Sequence, residues 1–394
     1  MRNFSLIFFF ILLAVKVQSK NLQSYNILFV DLKNDIRYTE WGLHPVDIRS
    51  KIKKEKRAVA GAKLAISEAK KLERLTKTSF TLEYISINKI SELENILINK
   101  KYMPYNSILL DLSEKYISKI KDYIKRNEDI IFFNVSEPDN NLRTDFCLNN
   151  FFSSYPSNQM LTDSTVQYLI EKKWKKTLIL TGPLRQDKKL SKSFKTSANK
   201  FGLKVTGENF FVNSNDPRVR DKNNLSFLTK GKRYDSIFIS DTEGEFALSV
   251  PNASVKSTVV TGSSGLQPKA WHWSYLRHGA PQLNGRFERL SNRRMESKDW
   301  AAWAAIRSLV EAVVRTKKIE SNEIINFLFS DNFKLDGSKG IGLNYRTKTN
   351  QLRQPILLIS GNNWVTSKVP LESFKNREND LDTIGLSSEN LTCN

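Results

Sequence analysis

Cysteine and histidine are scarce in this chain of 394 residues: two Cys and three His. No H-E-x-x-H and no C-x-x-C occurs, so neither strong zinc signature is present. Catalytic glycine motifs are missing too. A G-x-S-x-G nucleophile elbow would mark an α/β-hydrolase, and there is none. No G-x-x-x-x-G-K-[ST] loop is present to cradle a nucleotide phosphate. After the first apolar strand pattern, Asp31, Asn34, Asp35 and Trp41 stand where a G-x-G-x-x-G turn would open, which argues against a nicotinamide cofactor. Nothing argues for an enzyme, and no cofactor is indicated. Beyond the first residues no run of about 18 unbroken apolar residues appears, so the mature chain is expected to be soluble.

What is present begins with "MRNFSLIFFFILLAVKVQSK". A basic start precedes a short apolar run, Leu6 to Val15, and Val17-Gln18-Ser19 offers small residues for cleavage. That pattern predicts a secretory signal peptide over residues 1–19 and a periplasmic mature protein. The formal net charge is +21. Its basic residues are spread along the chain without an arginine-rich tail or an RNA-binding signature, so nucleic acid is not an expected partner. Lys, Asn and Ile abound throughout, as a coding bias would produce, although the charge favours an acidic ligand or partner. Two cysteines, Cys147 and Cys393, permit one disulfide in an oxidising compartment; equally they permit one buried thiol and one tail thiol.

Continuous apolar runs alternate with helical periodicity. "YNILFVDL", "FTLEYISI", "SILLDL" and "DIIFFNVS" read as strands, with helices at Arg57–Leu75, in "ISELENIL" and in "EKYISKIKDYIK" between them. A second series follows: a helix over Ser157–Trp174, the strand Lys175–Gly182, a helix closing on Gly202, then "LKVTGENFFV", "DSIFISD" and "STVVTGSSG". Ser297–Thr316 is a strong helix, and "SNEIINFLFS" a short one. "LNYR" and "PILLIS" read as antiparallel strands joined by a polar turn, before a polar tail. The fold expected is α/β, two doubly wound parallel-sheet lobes joined by hinge crossings. Lobe one takes 20–150 plus 266–332, lobe two takes 151–265 plus 333–375, and 376–394 is a tail.

Ligands of open parallel sheets sit beyond the carboxyl ends of the strands. Those loops are 33–47, 113–114 and 136–143 in lobe one, and 181–187, 241–245 and 261–264 in lobe two. The cleft candidates are Asp35, Glu40, Trp41 and His44 on one side and Asp241 and Glu243 on the other. With Asp47 and Glu245 they supply oxygens of the kind a hard cation needs. As readily, they are solvated loop charges around a buried Trp41. Lys269 to Phe287, "KAWHWSYLRHGAPQLNGRF", holds two of the three histidines and two of the seven tryptophans. Trp271, His272, Trp273 and Arg277 read either as a ligand wall or as a corner packed on the following helix, with "GAPQLNGRF" as turn and lead-in. A metal site from His272 and His278 lacks a third ligand. Trp300, Trp303 and "RAVAGAKLA" read as core, with Gly61 and Ala62 permitting close helix–sheet packing.

The two-lobe pattern resembles the type I periplasmic solute-binding proteins of ABC importers, the branched-chain amino-acid-binding group, over nearly the whole mature chain. "RAVAGAKLAISEA", "LRTDFCLNNFFSSYPSNQMLTDSTVQYLIEKKW", "WHWSYLRHGAPQLNGRF", "SKDWAAWAAIRSLVEA", "QLRQPILLI" and "LDTIGL" are similar to the ABC-transporter substrate-binding proteins associated with quinoprotein (pyrroloquinoline quinone-dependent) alcohol dehydrogenase systems. The resemblance implies a monomeric Venus-flytrap serving methanol-type oxidation. It implies a small-molecule or metal-complex ligand, lanthanides included, and an ABC permease and ATPase as partners. A second reading on the same fold is an exported sensor or accessory protein docking on the dehydrogenase or its cytochrome. The resemblance further implies pairing of Cys147 with Cys393. The bulky insert "KNDIRYTEWGLHPVDIR" stands where amino-acid-binding relatives carry small hydroxyl residues, which argues against an ordinary amino-acid ligand.

Overall fold

The structure, a computed structural model, describes residues 22–35, 37–38, 56–98, 105–212, 217–231, 233–361, 363–375, 378–387, 389 and 391–392. The proposed signal peptide and the candidates Glu40, Trp41, His44 and Asp47 lie outside these residues, as does Cys393.

The first sheet holds β1 (Gln23–Leu32), β2 (Thr78–Ile87), β3 (Ser107–Asp111), β4 (Ile131–Asn134) and β5 (Phe151–Ser153). All pair in parallel, in the order β2-β1-β3-β4-β5. The last eight residues of β1 are buried, because helices cover both faces of a parallel sheet. These are α1 (Val59–Ala69), α2 (Glu73–Thr76), α3 (Ile90–Ile98), α4 (Glu114–Lys119), α5 (Lys121–Arg126) and α6 (Asn141–Thr144). The single helix expected over "EKYISKIKDYIK" is two, since Ile120 leaves helical geometry between α4 and α5.

The second sheet holds β6 (Lys176–Thr181), β7 (Lys204–Phe210), β8 (Ser236–Ser240) and β9 (Val259–Gly262), parallel in the order β7-β6-β8-β9. Around it lie α7 (Asn158–Glu171), α8 (Arg185–Phe201), α9 (Leu225–Thr229) and α10 (Glu245–Ala253). Gly202 closes α8 at φ 72°, the left-handed conformation that glycine adopts without a Cβ penalty. The molecule is thus a two-lobed α/β protein with a doubly wound sheet in each lobe.

The chain passes between the sheets at 154–157, at 263–270 and again beyond residue 330. Near these crossings β10 (Gln267–Lys269) joins a small antiparallel sheet, and β11 (Leu335–Asp336) pairs with β12 (Gly342–Leu343). The sheet is completed by β13 (Ile356–Ile359) and β14 (Val365–Val369), in the order β10-β13-β14. The expected pairing of "LNYR" with "PILLIS" is therefore corrected: β13 pairs with β10 and β14, and only a Tyr345–Leu352 bridge closes the turn between. Alternation decides how β13 is used. Leu357 and Ile359 pack into the first-lobe core, while Ile356 and Leu358 join a cluster with Met160 of α7 and Leu266.

The helices α11 (Ala280–Ser291), α12 (Ser297–Thr316) and α13 (Ser321–Phe329) return to the first sheet. "APQLNGRFERLS" is the helix α11 rather than a turn, with Pro281 in its first turn, where a missing N–H is tolerated. Nor is the end of the chain a loose polar tail. Leu381, Ile384 and Leu386 are buried, and Arg346 donates to the main-chain oxygens of Leu381 and Ile384.

Candidate functional site

Three buried strands carry an aspartate at or beside their carboxyl end: Asp31 is next to last in β1, Asp111 is last in β3, and Asp241 follows Ser240, the last residue of β8. That places carboxylates at the carboxyl edges of both parallel sheets. In the first lobe, Asp31 accepts from Tyr84 Oη at 2.9 Å and Ser86 Oγ at 2.6 Å, and pairs with Arg57 at 2.7 Å. Asp111 accepts from Tyr38 Oη at 2.7 and 2.9 Å and from the Ala58 N–H at 3.4 Å. Arg37 lies across this edge. Its Nε contacts both Asp35 oxygens at 3.0 Å, Nη1 donates to Ser136 Oγ at 3.0 Å, and Nη2 reaches Asp35 at 2.7 Å and the Asp111 carbonyl at 3.1 Å. Burial by itself raises the Asp35 carboxyl, but the Arg37 hydrogen bonds and charge outweigh it and hold Asp35 below its usual range. Arg57 at 5.1 Å and Lys298 at 4.9 Å both face the Tyr38 ring.

This floor is a charge-compensated network in which Asp35, Ser136 and Asp111 hold the Arg37 guanidinium. Beside it, Glu137 accepts the N–H groups of Glu114 and Asp139, both at 3.1 Å. Burial raises its carboxyl against the pull of Arg37.

In the second lobe, Asp187 and Asp241 are spent on backbone. Asp187 accepts from the N–H groups of Leu184 at 3.1 Å and Thr242 at 2.7 Å. Asp241 accepts from Gly244 at 3.0 Å and Ala247 at 2.9 Å, so it caps α10. Burial raises its carboxyl in spite of those bonds. Glu243, two residues on, is half-buried. Among the described residues no three His, Cys, Asp or Glu side chains form a metal-binding group, His272 and His278 included.

The edges meet through α8. Lys189 pairs with Asp139 and with Glu114 at 3.4 Å, Arg185 approaches Glu114 at 3.9 Å, and Asn140 Nδ2 donates to Ser193 Oγ at 3.1 Å. The loops at residues 113–114, 136–143 and 181–187 were placed at the strand ends by the sequence. The side chains that do most there, Arg37, Asp111, Glu137, Asp139, Arg143 and Lys189, were not singled out. An aspartate closing an apolar strand was the legible signal.

Residues 271–278 lie elsewhere. Trp271 is 1% exposed. It stacks parallel to Trp300 at 6.1 Å and donates Nε1–H to Asn284 at 3.0 Å. It therefore sits in the core over α12 and presents no ligand wall. Trp273 is half-buried under the Arg294 guanidinium, 3.5 Å from its ring centre. Arg277 is exposed. His272 shares a hydrogen bond with Ser274 Oγ at 2.8 Å, and burial, aided by Lys269 and Arg294, pushes it down to about 4. A histidine depressed in the folded state keeps its full contribution above the unfolded pKa of about 6.5 and loses it as pH falls toward 4. With solvent screening discounted, His272→Gln should flatten the fall in stability between those pH values by about 1 kcal/mol. Urea unfolding at several pH values reads this. Away from both strand edges, a depression of about 450 Å³ on α11 is lined by Pro281, Gln282, Gly285, Arg286 and Arg289. There Arg286 is paired with Glu68 at 2.7 Å.

No protein-family model matches the chain, and no curated protein matches it. Solved structures do. A branched-chain amino acid ABC transporter periplasmic ligand-binding protein from Burkholderia xenovorans is 11% identical with a TM-score of 0.68, over 88% of this chain and 95% of that one. A leucine-, isoleucine-, valine-, threonine- and alanine-binding protein from Brucella ovis, in closed conformation, is 9% identical with a TM-score of 0.68, over 92% and 93%. A solute-binding protein of an ABC transporter from Rhodopseudomonas palustris, in complex with 3,4-dihydroxybenzoic acid, is 9% identical with a TM-score of 0.62, over 86% and 93%. At these identities the likeness establishes the fold, that of the type I periplasmic binding proteins.

Proposed function

We propose that this chain is the exported solute-binding component of an ABC importer. It holds a small ligand between the lobes by hinge closure, delivers it to a membrane permease and its ATPase, and catalyses nothing. The observation that carries this reading is the placement of two parallel-sheet carboxyl edges on lobes joined by crossing strands. Structural neighbours named for branched-chain amino acids and for a hydroxybenzoate support the same class of use. We propose the lobe division 20–150 plus 266–332 against 151–265 plus 333–375 with two shifts: β5 at 151–153 belongs to the first sheet, and Phe333, Leu335, Leu343, Tyr345 and Leu352 pack in the first-lobe core. The finer proposal is service to pyrroloquinoline quinone-dependent alcohol oxidation, with a lanthanide carried as an anionic chelate. It rests on the resemblance of the sequence strings. The spent carboxylates of Asp187 and Asp241 favour a chelate over a bare ion.

Thermal unfolding of residues 20–394 with amino acids, aromatic acids, pyrroloquinoline quinone, and lanthanides with and without chelators tests the proposal. A ligand at 100 times its dissociation constant should add about 2.7 kcal/mol. No shift with any class would sink the binding reading and favour the docking one.

We also propose the Cys147–Cys393 bridge. Thr392, next to Cys393, donates its N–H to the Thr144 carbonyl at 3.0 Å and its hydroxyl to Asp145 at 2.8 Å, three and two residues from Cys147. Mass measurement of the unreduced, exported chain should find two hydrogens fewer than the reduced one; an unchanged mass would refute the bridge.

A further inference from the structure

Arg143 is unusual in its charge balance. It is 2% exposed, yet none of its hydrogen bonds goes to a carboxylate. Nε donates to Gln351 Oε1 at 2.9 Å, Nη1 to the carbonyls of Glu137 and Asp139 at 2.8 Å each, and Nη2 to the Tyr155 carbonyl at 2.7 Å. Burial lowers its pKa to about 10, against the pull of Glu137 and Asp139. Burying a guanidinium without a paired carboxylate is costly, and oriented oxygens must offset it. Those oxygens come from two places. Tyr155 lies on the first crossing between lobes and Gln351 leads into the last, while Glu137 and Asp139 belong to the cleft loop after β4. Gln351 also donates to Ser153 and Tyr155 carbonyls at 3.0 and 3.1 Å, which binds the two crossings together.

The same loop is gripped from the other lobe. Asp139 pairs with Lys189, which also reaches Glu114 at 3.4 Å. Residues 185, 189 and 193 follow each other on one face of α8. A continuous path of contacts therefore runs from the crossings through Arg143 to the loop, and from the loop to the second lobe.

We propose that Arg143 is a positioning residue coupling the hinge to the cleft: it makes movement of the crossings and the grip of Lys189 on Asp139 one event. A planar guanidinium cannot stretch to keep four bonds. When the crossings turn, the loop at residues 137–139 must follow or the bonds break. The inference rests on the two-lobed hinge reading but needs no ligand, so a failed ligand screen leaves it untouched.

A double-mutant cycle tests it, with lobe separation read by small-angle X-ray scattering on the full mature chain and folding checked by thermal melting. Lys189→Met should raise the open population about twofold to fivefold, the range of an ion pair that solvent still reaches. Arg143→Lys should do the same. The double variant should open no further than either alone, because both remove one event. Wild type at 1 M salt, where screening acts within about 3 Å, should approach the Lys189→Met value, and that variant should not respond. Additive opening, or unchanged separation in Lys189→Met, overturns the proposal. If Arg143→Lys does not fold, Gln351→Met removes the Nε acceptor and takes its place in the cycle.

Discussion

Gly61→Ala should destabilise the protein by about 3 kcal/mol or more, at the upper end of overpacking costs. A Cβ on Gly61 would lie 1.9 Å from the Asp299 carbonyl oxygen and 2.6 Å from its carbon. Both are backbone atoms of α12, so no rotamer change relieves the clash. The start of α12 is also fixed. Arg293 holds the Asp299 carboxylate with two bonds of 2.7 Å, and Asp299 accepts the Glu296 N–H at 3.0 Å. Either α1 lifts from α12, opening the largest core cluster, or α12 loses its first turn. Urea unfolding measures the loss. A variant within about 0.5 kcal/mol of wild type would mean the helices do not approach this closely.

Trp271→Ala should cost about 3–5 kcal/mol, the range for removing a buried aromatic, without a specific effect on ligand affinity. The indole fills space between Trp300 and Tyr275, and Asn284 Oδ1 loses its donor. Trp273→Ala removes a half-buried ring whose main partner is the exposed Arg294, so about 1 kcal/mol is expected. The contrast separates the corner from the wall. A wall predicts that both variants fold well and bind weakly. A corner predicts that Trp271→Ala loses stability and, where folded, binds as wild type. Melting curves with and without a ligand found by the thermal screen decide between them.

The strands of both sheets were legible because a strand buried on both faces must be apolar throughout, as in β1, β3, β6 and β8. The helices over Ser297–Thr316 and Ser157–Trp174 were legible from their periodicity. Short elements were not: β5 has three residues and β10 three, too few to carry a pattern. The "PILLIS" strand was found but its partner was not. Pairing of β13 with β10 joins residues 267–269 to 357–359, and nothing local encodes so distant a register. Gly61 was expected to sit close to a sheet, whereas it touches a helix. A missing Cβ announces close approach without saying to what.

The candidate site divides along the same line. Local patterning is enough to set the strand ends, and with them the loops that carry Glu137, Asp139, Arg143 and Asp187. The sequence predicts an export signal over residues 1–19 and carries none of the catalytic motifs sought. What the charges do emerges only once the chain is folded. Arg37 is held by Asp35, Ser136 and Asp111, Asp241 caps a helix, and Lys189 grips a loop of the other lobe. Strand ends follow from local periodicity, which neighbouring residues impose. A charge's role follows from its distance to partners far along the chain, and the fold sets that distance.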